Sequence, residues 1–451
     1  MSANVASIPD AIDPVEKKKL FLTTIASTLA WACDLFDLFI ILFVAPTIAE
    51  LFFPADNALL SLASVYAAYA VTVVMRPAGS AIFGSYADRK GRRRAMIVSV
   101  CGIGIVTGSM GLLPTYPQVG ILAPILFLSA RVIQGIFVGG VTATSHTMAT
   151  ECVPPHLRGI ITGIVATGAA IGSLLASVAY WGASAMFPGE TFLVWGWRTM
   201  FFFGLAPLVL GALVFFFVGE SPLWLATTTK GKKSHTPLRD VYSRQNLGAN
   251  IVTLMLVIGG GMTIYLTQSY LPAFMKLINK VPNEELGAIL MVSNFAAIAA
   301  TPLFGHLSQI YGRKRIFLVL GLGNLLIIPF FYFQLSQLRP DSLGMIYFYA
   351  TVLTFCGNAA LGPMIIFLNE RFPTKVRATG VAVMWSIGFA IGGMMPTFVT
   401  LASQSVANIP YTLIAFLVVA IVVYTVGASL VPETRGNMEK LPSNELKGAV
   451  V

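Results

Sequence analysis

The chain has 451 residues, of which 56% are hydrophobic and only 11% charged, with a mean hydropathy of +0.79. These proportions lie far outside those of soluble globular chains and exclude a water-soluble domain. The net charge of +10 could suggest nucleic acid, but the basic residues are dispersed among the turns between apolar runs, so no nucleic-acid partner is expected.

The first nineteen residues are polar. The apolar run behind them is longer than a signal-peptide core and has no small-residue cleavage site, so it is expected to remain as the first helix. Runs of about 20 residues, the length that crosses roughly 30 Å of hydrocarbon, then recur along the chain. Candidate spans fall at 20–52, 58–84, 95–113, 121–149, 159–184 and 198–218, and again at 249–275, 286–306, 316–336, 344–368, 378–402 and 408–430. Most connections are too short for a separate soluble domain. The expected organisation is a tail at 1–19, a six-helix half at 20–218, a polar linker at 219–247, a second half at 248–431 and a tail at 432–451.

Cations mark every second connection. Arg89, Lys90, Arg92, Arg93 and Arg94 lie in one turn and Arg158 in the next. Lys230, Lys232, Lys233, Arg239 and Arg244 lie in the linker, followed by Arg313, Lys314 and Arg315, then Arg371, Lys375 and Arg377. The tails add Lys17, Lys18, Lys19, Arg435, Lys440 and Lys447, whereas the opposite side has only Arg198, Lys276, Lys280 and Arg339. Because cytoplasmic loops of polytopic proteins collect Lys and Arg, both termini are expected in the cytoplasm and the chain in the cytoplasmic (inner) membrane. Cys33, Cys101 and Cys356 fall inside spans and Cys152 at the end of one, with no CxxC spacing, so inert thiols are expected and neither disulfides nor a metal site.

Sliding the chain on itself exposes a repeat. Gly84, Gly91 and Arg92 of "GSYADRKGRRR" return 221 residues later as Gly305, Gly312 and Arg313 of "GHLSQIYGRKR". Glu151, Pro154 and Arg158 return 219 residues later as Glu370, Pro373 and Arg377, and Gly168 and Gly172 return 220 residues later as Gly388 and Gly392. Three motifs at nearly one offset divide the protein into two parallel halves, an arrangement whose solute site lies between the halves near the midplane.

The loop "GSYADRKGRRR" resembles the signature of the major facilitator superfamily, and the resemblance covers essentially the whole chain. "RPAGSAIFG", "APILFLSARVIQGIFVGG", "WGWR", "GESPLWL" and "ERFPTKVRATG" are similar to the metabolite:proton symporter family. Two motifs depart from it. The first helix reads "DLFDLF" where that family has "EWYDF", closer to the sialate and lactate symporters, and Val141 stands where a Glu is usual. The implied fold is an all-α membrane protein of twelve transmembrane helices in two six-helix pseudo-repeats. The resemblance also implies that the signature arginines lock the cytoplasmic gate, with Gly84, Asp88, Gly91, Arg92, Glu151 and Arg158 in one copy and Gly305, Arg313, Glu370 and Arg377 in the other. Asp88 can cap a helix end of the other half. Gln309 takes the place of Asp88 in the second copy, so the two locks are expected to be unequal. Glu151 is expected to pair with Arg158, and Glu370 with Arg377, in the same network.

A charge inside a membrane costs roughly 2.5–3.5 kcal/mol even on the lenient insertion scale, so each one needs a reason. Asp34 and Asp37 lie in the middle of the first span, three residues apart and hence on one helix face. A carboxyl in a low-dielectric cavity can take up and release a proton near neutral pH, which makes both candidates for proton coupling; the plainer alternative is a permanent ion pair. The resemblance favours Asp34, where the family has Glu. Arg131 in the fourth span is the natural counter-charge and could pass to an anionic solute as the carboxyl is protonated. Arg76 is an anion contact or a partner of the signature loop, and Arg198, beside Trp195 and Trp197, a substrate contact or an interfacial anchor. The second half has no mid-membrane acid and offers instead Tyr265, Gln268, Tyr270, Asn294, Asn358 and Trp385 as polar contacts or packing. His146 reads as a satisfied structural histidine.

The resulting expectation is a monomeric secondary transporter, driven by the proton gradient and needing no cofactor, that takes up a small organic anion such as a mono- or dicarboxylate by alternating access among membrane lipid. Symport of a zwitterionic osmolyte or amino acid, or proton-driven export, are the alternatives; for export, Ser173 stands where the fifth-helix glycine ladder would need Pro. No GxxxxGK[ST], HExxH or GxSxG motif supports an enzyme.

Overall fold

Backbone polar groups in hydrocarbon must be satisfied within the segment, which for apolar runs of this length leaves the helix as the solution. The computed structural model describes residues 14–55, 58–153, 157–221, 224–225, 247–373 and 376–437. Twelve of its helices are long and apolar enough to cross a membrane. They are α1 (Leu20–Phe43), α2 (Ala63–Lys90), α3 (Arg92–Met110), α4 (Leu122–Glu151), α5 (Arg158–Met186) and α6 (Phe192–Phe217), then α7 (Gly248–Ser269), α8 (Glu285–Tyr311), α9 (Arg313–Ser336), α10 (Pro340–Arg371), α11 (Arg377–Ser403) and α12 (Val406–Leu430). Pro154, Lys375, most of the linker at 219–247 with its five cations, and the outer parts of both tails lie outside the described residues.

Two expected boundaries shift for identifiable reasons. The first span does not run to 52: it stops at Phe43, and Ala45–Phe52 forms a separate short helix with Pro46 in its first turn, because proline has no N–H to continue the helical ladder. The signature loop is mostly not a loop, since α2 continues through Asp88 to Lys90 and only Gly91 separates it from α3. Gly91 has φ of 109° and its repeat Gly312, between α8 and α9, has φ of 98°. Only glycine adopts such angles without strain, so both copies turn sharply between two rigid helices.

Small residues set the helix contacts. Gly135 and Gly139 of α4 lie against the carbonyls of Thr72 and Arg76 in α2, and Gly168 and Gly172 of α5 lie against the α1 backbone at Thr28 and Ala32. Gly388 and Gly392 repeat this against Val257 and Gly261, so α11 sits on α7 as α5 sits on α1, the close approach typical of membrane helices. The halves meet along two seams, α2 against α11 and α5 against α8. In the second seam the backbones touch: a Cβ on Gly163 would lie 2.6 Å from Pro302 Cα, and one on Gly305 would lie 2.6 Å from the Gly159 carbonyl. One core of buried residues, including Trp31, Val73, Val165, Val257, Met364 and Trp385, runs across both halves. Val319, Leu326 and Val419 on the outer helices are more than half exposed, as lipid-facing positions require.

Candidate functional site

The buried charges separate into two networks. Asp34 and Asp37 are both buried on α1, but their offset of about 60° around the helix sends them to different neighbours. Asp34 pairs with Arg76 of α2 at 2.7 Å. Asp37 accepts hydrogen bonds from Thr107 of α3 at 2.5 Å and from the side-chain amide of Gln134 on α4. Arg131 therefore pairs directly with neither carboxylate, contrary to the expected switch. Its Nη1 donates to Gln134 Oε1 at 2.6 Å, and the amide of Gln134 bridges to Asp37. Arg76 is the counter-ion of Asp34 rather than a partner of the signature loop.

Arg131 is buried and lies 5.4 Å over the ring of Phe127, yet its Nε and Nη2 have no hydrogen-bond partner among the described residues. One oxygen each of Asp34 and Asp37, both Oδ2, is likewise without one. Three of the five guanidinium N–H donors are thus unmet, and burying a donor without a partner is costly unless a ligand supplies acceptors.

Beside these networks an aromatic path crosses from one half to the other. Tyr69 of α2 meets Tyr265 of α7, Tyr265 meets Phe389 of α11, and Phe389 stacks on Trp385 at 4.2 Å. Trp385 touches His146 of α4 and Trp31 of α1. His146 is packed between the two indoles, but neither of its nitrogens has a hydrogen-bond partner among the described residues, so it is not the satisfied histidine expected. Tyr265 and Gln268 lie in a π-helical turn that ends α7, Tyr265–Ser269, a widened geometry frequent at functional sites. Gln268 donates to Asn294 of α8 at 3.0 Å, and Asn294 donates to Ser173 of α5 at 3.1 Å, across the halves. Gln268, Asn294 and Ser173 line a narrow cavity with Phe39 and Phe43.

Three candidate contacts turn elsewhere. Arg198 donates to the carbonyls of Gly111 and Leu113 at 2.7 and 2.9 Å, tying α6 to the end of α3, and stacks on Trp197. Tyr270 bonds to Thr400, and Asn358 bonds back to Thr354 of its own helix.

At the end that carries the signature motifs the halves are latched together. Asp88 accepts from the Thr379 hydroxyl at 2.7 Å and from its backbone N–H at 3.2 Å, in the first turn of α11, where the helix dipole favours an anion. Glu151 pairs with Arg92 of its own half and with Arg377 of the other, and accepts from Ser221 at 2.6 Å. Glu370 pairs with Arg313 and accepts from Thr434, both in its own half, rather than with Arg377. Gln309 accepts from Arg313 of its own half, so the two copies are unequal as the sequence implied. Glu220 and Glu433, missed as site residues, accept from the first backbone N–H groups of α3 and α9. Cys152 lies within this anionic cluster, and burial followed by Glu151 and Glu220 pushes its thiol up to about 12, which keeps it protonated and unreactive. Replacing Asp88 with Asn removes the anion from the α11 terminus, and we expect a cysteine placed on the cavity side of α11 to react faster with a membrane-impermeant thiol reagent; unchanged labelling would show that Asp88 does not hold this seam.

A buried charge cluster within the first half, side-chain contacts that cross to the second half and a latch at one end are the parts of a membrane carrier. Family comparisons agree. The model described as "Sugar (and other) transporter" matches residues 22–256, and that described as "Major Facilitator Superfamily" matches residues 275–451. The chain belongs to the major facilitator superfamily of transporters. It is 29% identical over 381 residues to the inner membrane metabolite transport protein YhjE of Escherichia coli K12, covering 83% of this chain and 86% of that protein. It is 25% identical over 449 residues to the glycine betaine/proline/ectoine/pipecolic acid transporter OusA of Dickeya dadantii, covering 98% and 87%. Among solved structures the proton:xylose symporter XylE of E. coli superposes with a TM-score of 0.77 at 18% identity over 94% of this chain and 99% of that one, a likeness of fold.

Proposed function

We propose that the protein is a proton-coupled symporter of the inner membrane, with both termini cytoplasmic, that takes up a small metabolite carrying one carboxylate. The observation that carries this reading is the buried Arg131 with Nε and Nη2 left open, the edge that binds a carboxylate through two parallel hydrogen bonds. The charge inventory narrows the solute further. Arg76 is taken by Asp34, so a dicarboxylate would leave its second charge without a cation among the buried residues that line this region. A zwitterion fits better than the mono- or dicarboxylate anion that the sequence first suggests. Its carboxylate lies on Arg131, and its ammonium or saturated ring lies against the faces of Tyr265, Phe389 and Trp385, where an aromatic surface attracts a cation. Gln268 and Asn294 add amide contacts on the second half. Glycine betaine, proline, ectoine and pipecolic acid, from which OusA takes its name, all have one carboxylate.

Thermal shift of the purified protein with glycine betaine, L-proline, succinate and D-xylose tests this. A ligand at ~100 times its Kd stabilises the folded state by about 2.7 kcal/mol, and that shift is expected with the zwitterions and absent with succinate and xylose. Stabilisation by xylose alone would overturn the carboxylate reading.

A further inference from the structure

Gln134 stands three residues after Arg131 on α4 and is fully buried. Its amide touches the open arginine on one side and a carboxylate on the other: Oε1 accepts from Arg131 Nη1, while Nε2 donates to Asp37 Oδ1 and, at 2.8 Å, to Thr107 Oγ1. This orientation is fixed by chemistry, since a guanidinium only donates and an ionised carboxylate only accepts. Turned over, the amide would set donor against donor and acceptor against acceptor.

We propose that Gln134 is the positioning residue that links solute to proton, passing the occupancy of Arg131 to Asp37. The proposal rests on the reading that Arg131 holds the solute carboxylate. With Arg131 open, its charge holds Oε1 and thereby aims the Nε2 protons at Asp37, which favours the carboxylate form. A solute carboxylate on Nε and Nη2 balances that charge and slackens the hold on Oε1. Asp37 then loses both the field of the cation and the aimed donor. It is protonated at Oδ2, the oxygen with no partner: a proton from the medium on the open side forms the O–H bond on an Oδ2 lone pair and leaves again as a hydrated proton on the other side. The charged and titratable groups that face Asp37 are few. They are Arg131 from α4, Arg76 from α2, itself paired with Asp34, and Asp34 and Cys33 from its own helix; α3 contributes only the neutral Thr107. Among the described residues Gln134 is the hydrogen-bonded bridge between the cation and the carboxylate.

The test uses the purified full-length protein with glycine betaine and L-proline as probes, comparing Gln134→Leu and Gln134→Asn with the wild type. Leu removes the amide, and Asn keeps an amide one methylene too short to span both partners. Probe affinity is read by calorimetry and proton uptake by the pH change of a weakly buffered solution. The wild type is expected to take up ~1 proton per probe bound. Both variants are expected to bind the probe within ~3-fold of wild-type affinity, with the coupled proton uptake largely lost and accumulation in proteoliposomes falling at least ~10-fold while exchange continues. Undiminished proton uptake in Gln134→Leu would overturn the proposal and leave the reading of Arg131 intact. Loss of probe binding in both variants would also overturn it, by making Gln134 a prop for the binding site. If Arg131→Lys binds the probes as the wild type does, it is the underlying reading that fails.

Discussion

Arg131→Lys is expected to raise the Kd for glycine betaine or L-proline by ~10–150-fold, as measured by calorimetry on the purified protein. The guanidinium uses Nη1 on Gln134 and leaves Nε and Nη2, on another edge of the same plane, without a partner among the described residues. A lysine ammonium is a point charge on a flexible stem and cannot serve both directions at once, so at least one charge-assisted hydrogen bond to the solute is lost. Such bonds contribute about 1.5–3 kcal/mol, which corresponds to the stated range in Kd. Because the positive charge is kept, the loss cannot be attributed to an uncompensated Asp37. An unchanged Kd would take Arg131 out of the binding site.

The two aspartates of α1 are expected to fail in different ways. Asp37→Asn keeps a side chain that can still bond to Thr107 but cannot carry a proton in and out, so counterflow of labelled solute should persist in proteoliposomes while accumulation driven by a pH gradient disappears. Asp34→Asn removes the ion-pair partner that Arg76 has among the described residues, a contact of 2.7 Å between two buried groups. Leaving one member of a buried pair without its counter-charge is destabilising by about 3–5 kcal/mol, so the effect falls on thermal stability and on the yield of folded protein in the membrane. The decisive measurement is the pair of melting temperatures and accumulation ratios side by side. Were Asp37→Asn to accumulate solute normally while Asp34→Asn stayed stable and uncoupled, the roles assigned to them would be reversed.

The fold was legible because each of its causes acts along the chain. Hydrophobic runs of spanning length, positive residues on every second turn, and motifs returning near one offset are all one-dimensional signals. The glycine pairs at 168 and 172 and at 388 and 392 were readable for the same reason, and they hold matching helix contacts in the two halves. The site was legible as an inventory and not as a wiring diagram. Helical spacing brought Asp34 and Asp37 to one face but could not say that about 60° is enough to divide them between α2 and the α3–α4 pair. Gln134 carried a usable signal, because a residue three positions after Arg131 must share its face; it was passed over because an uncharged amide does not stand out in an apolar run as an arginine does. Thr107 and Trp31 had no such signal, since their importance depends on which helices meet. Glu220 and Glu433 lay within or beside recognisable motifs, "GESPLWL" and "VPETR", but their task of capping α3 and α9 emerges only when α6 and α12 return to those helix ends.

The seam between α5 and α8 has a consequence for how the molecule turns over. Gly159, Gly163 and Gly305 put bare backbone against backbone over this stretch. Such a stretch can serve as a bearing, because no side chain has to change rotamer where the glycines meet. The opposite seam carries Asp88 with Thr379 and Glu151 with Arg377, contacts that must part before the halves can rock. One seam therefore has the build of an axle and the other that of a clasp, whose ion pairs and hydrogen bonds have to part for the halves to separate at that end.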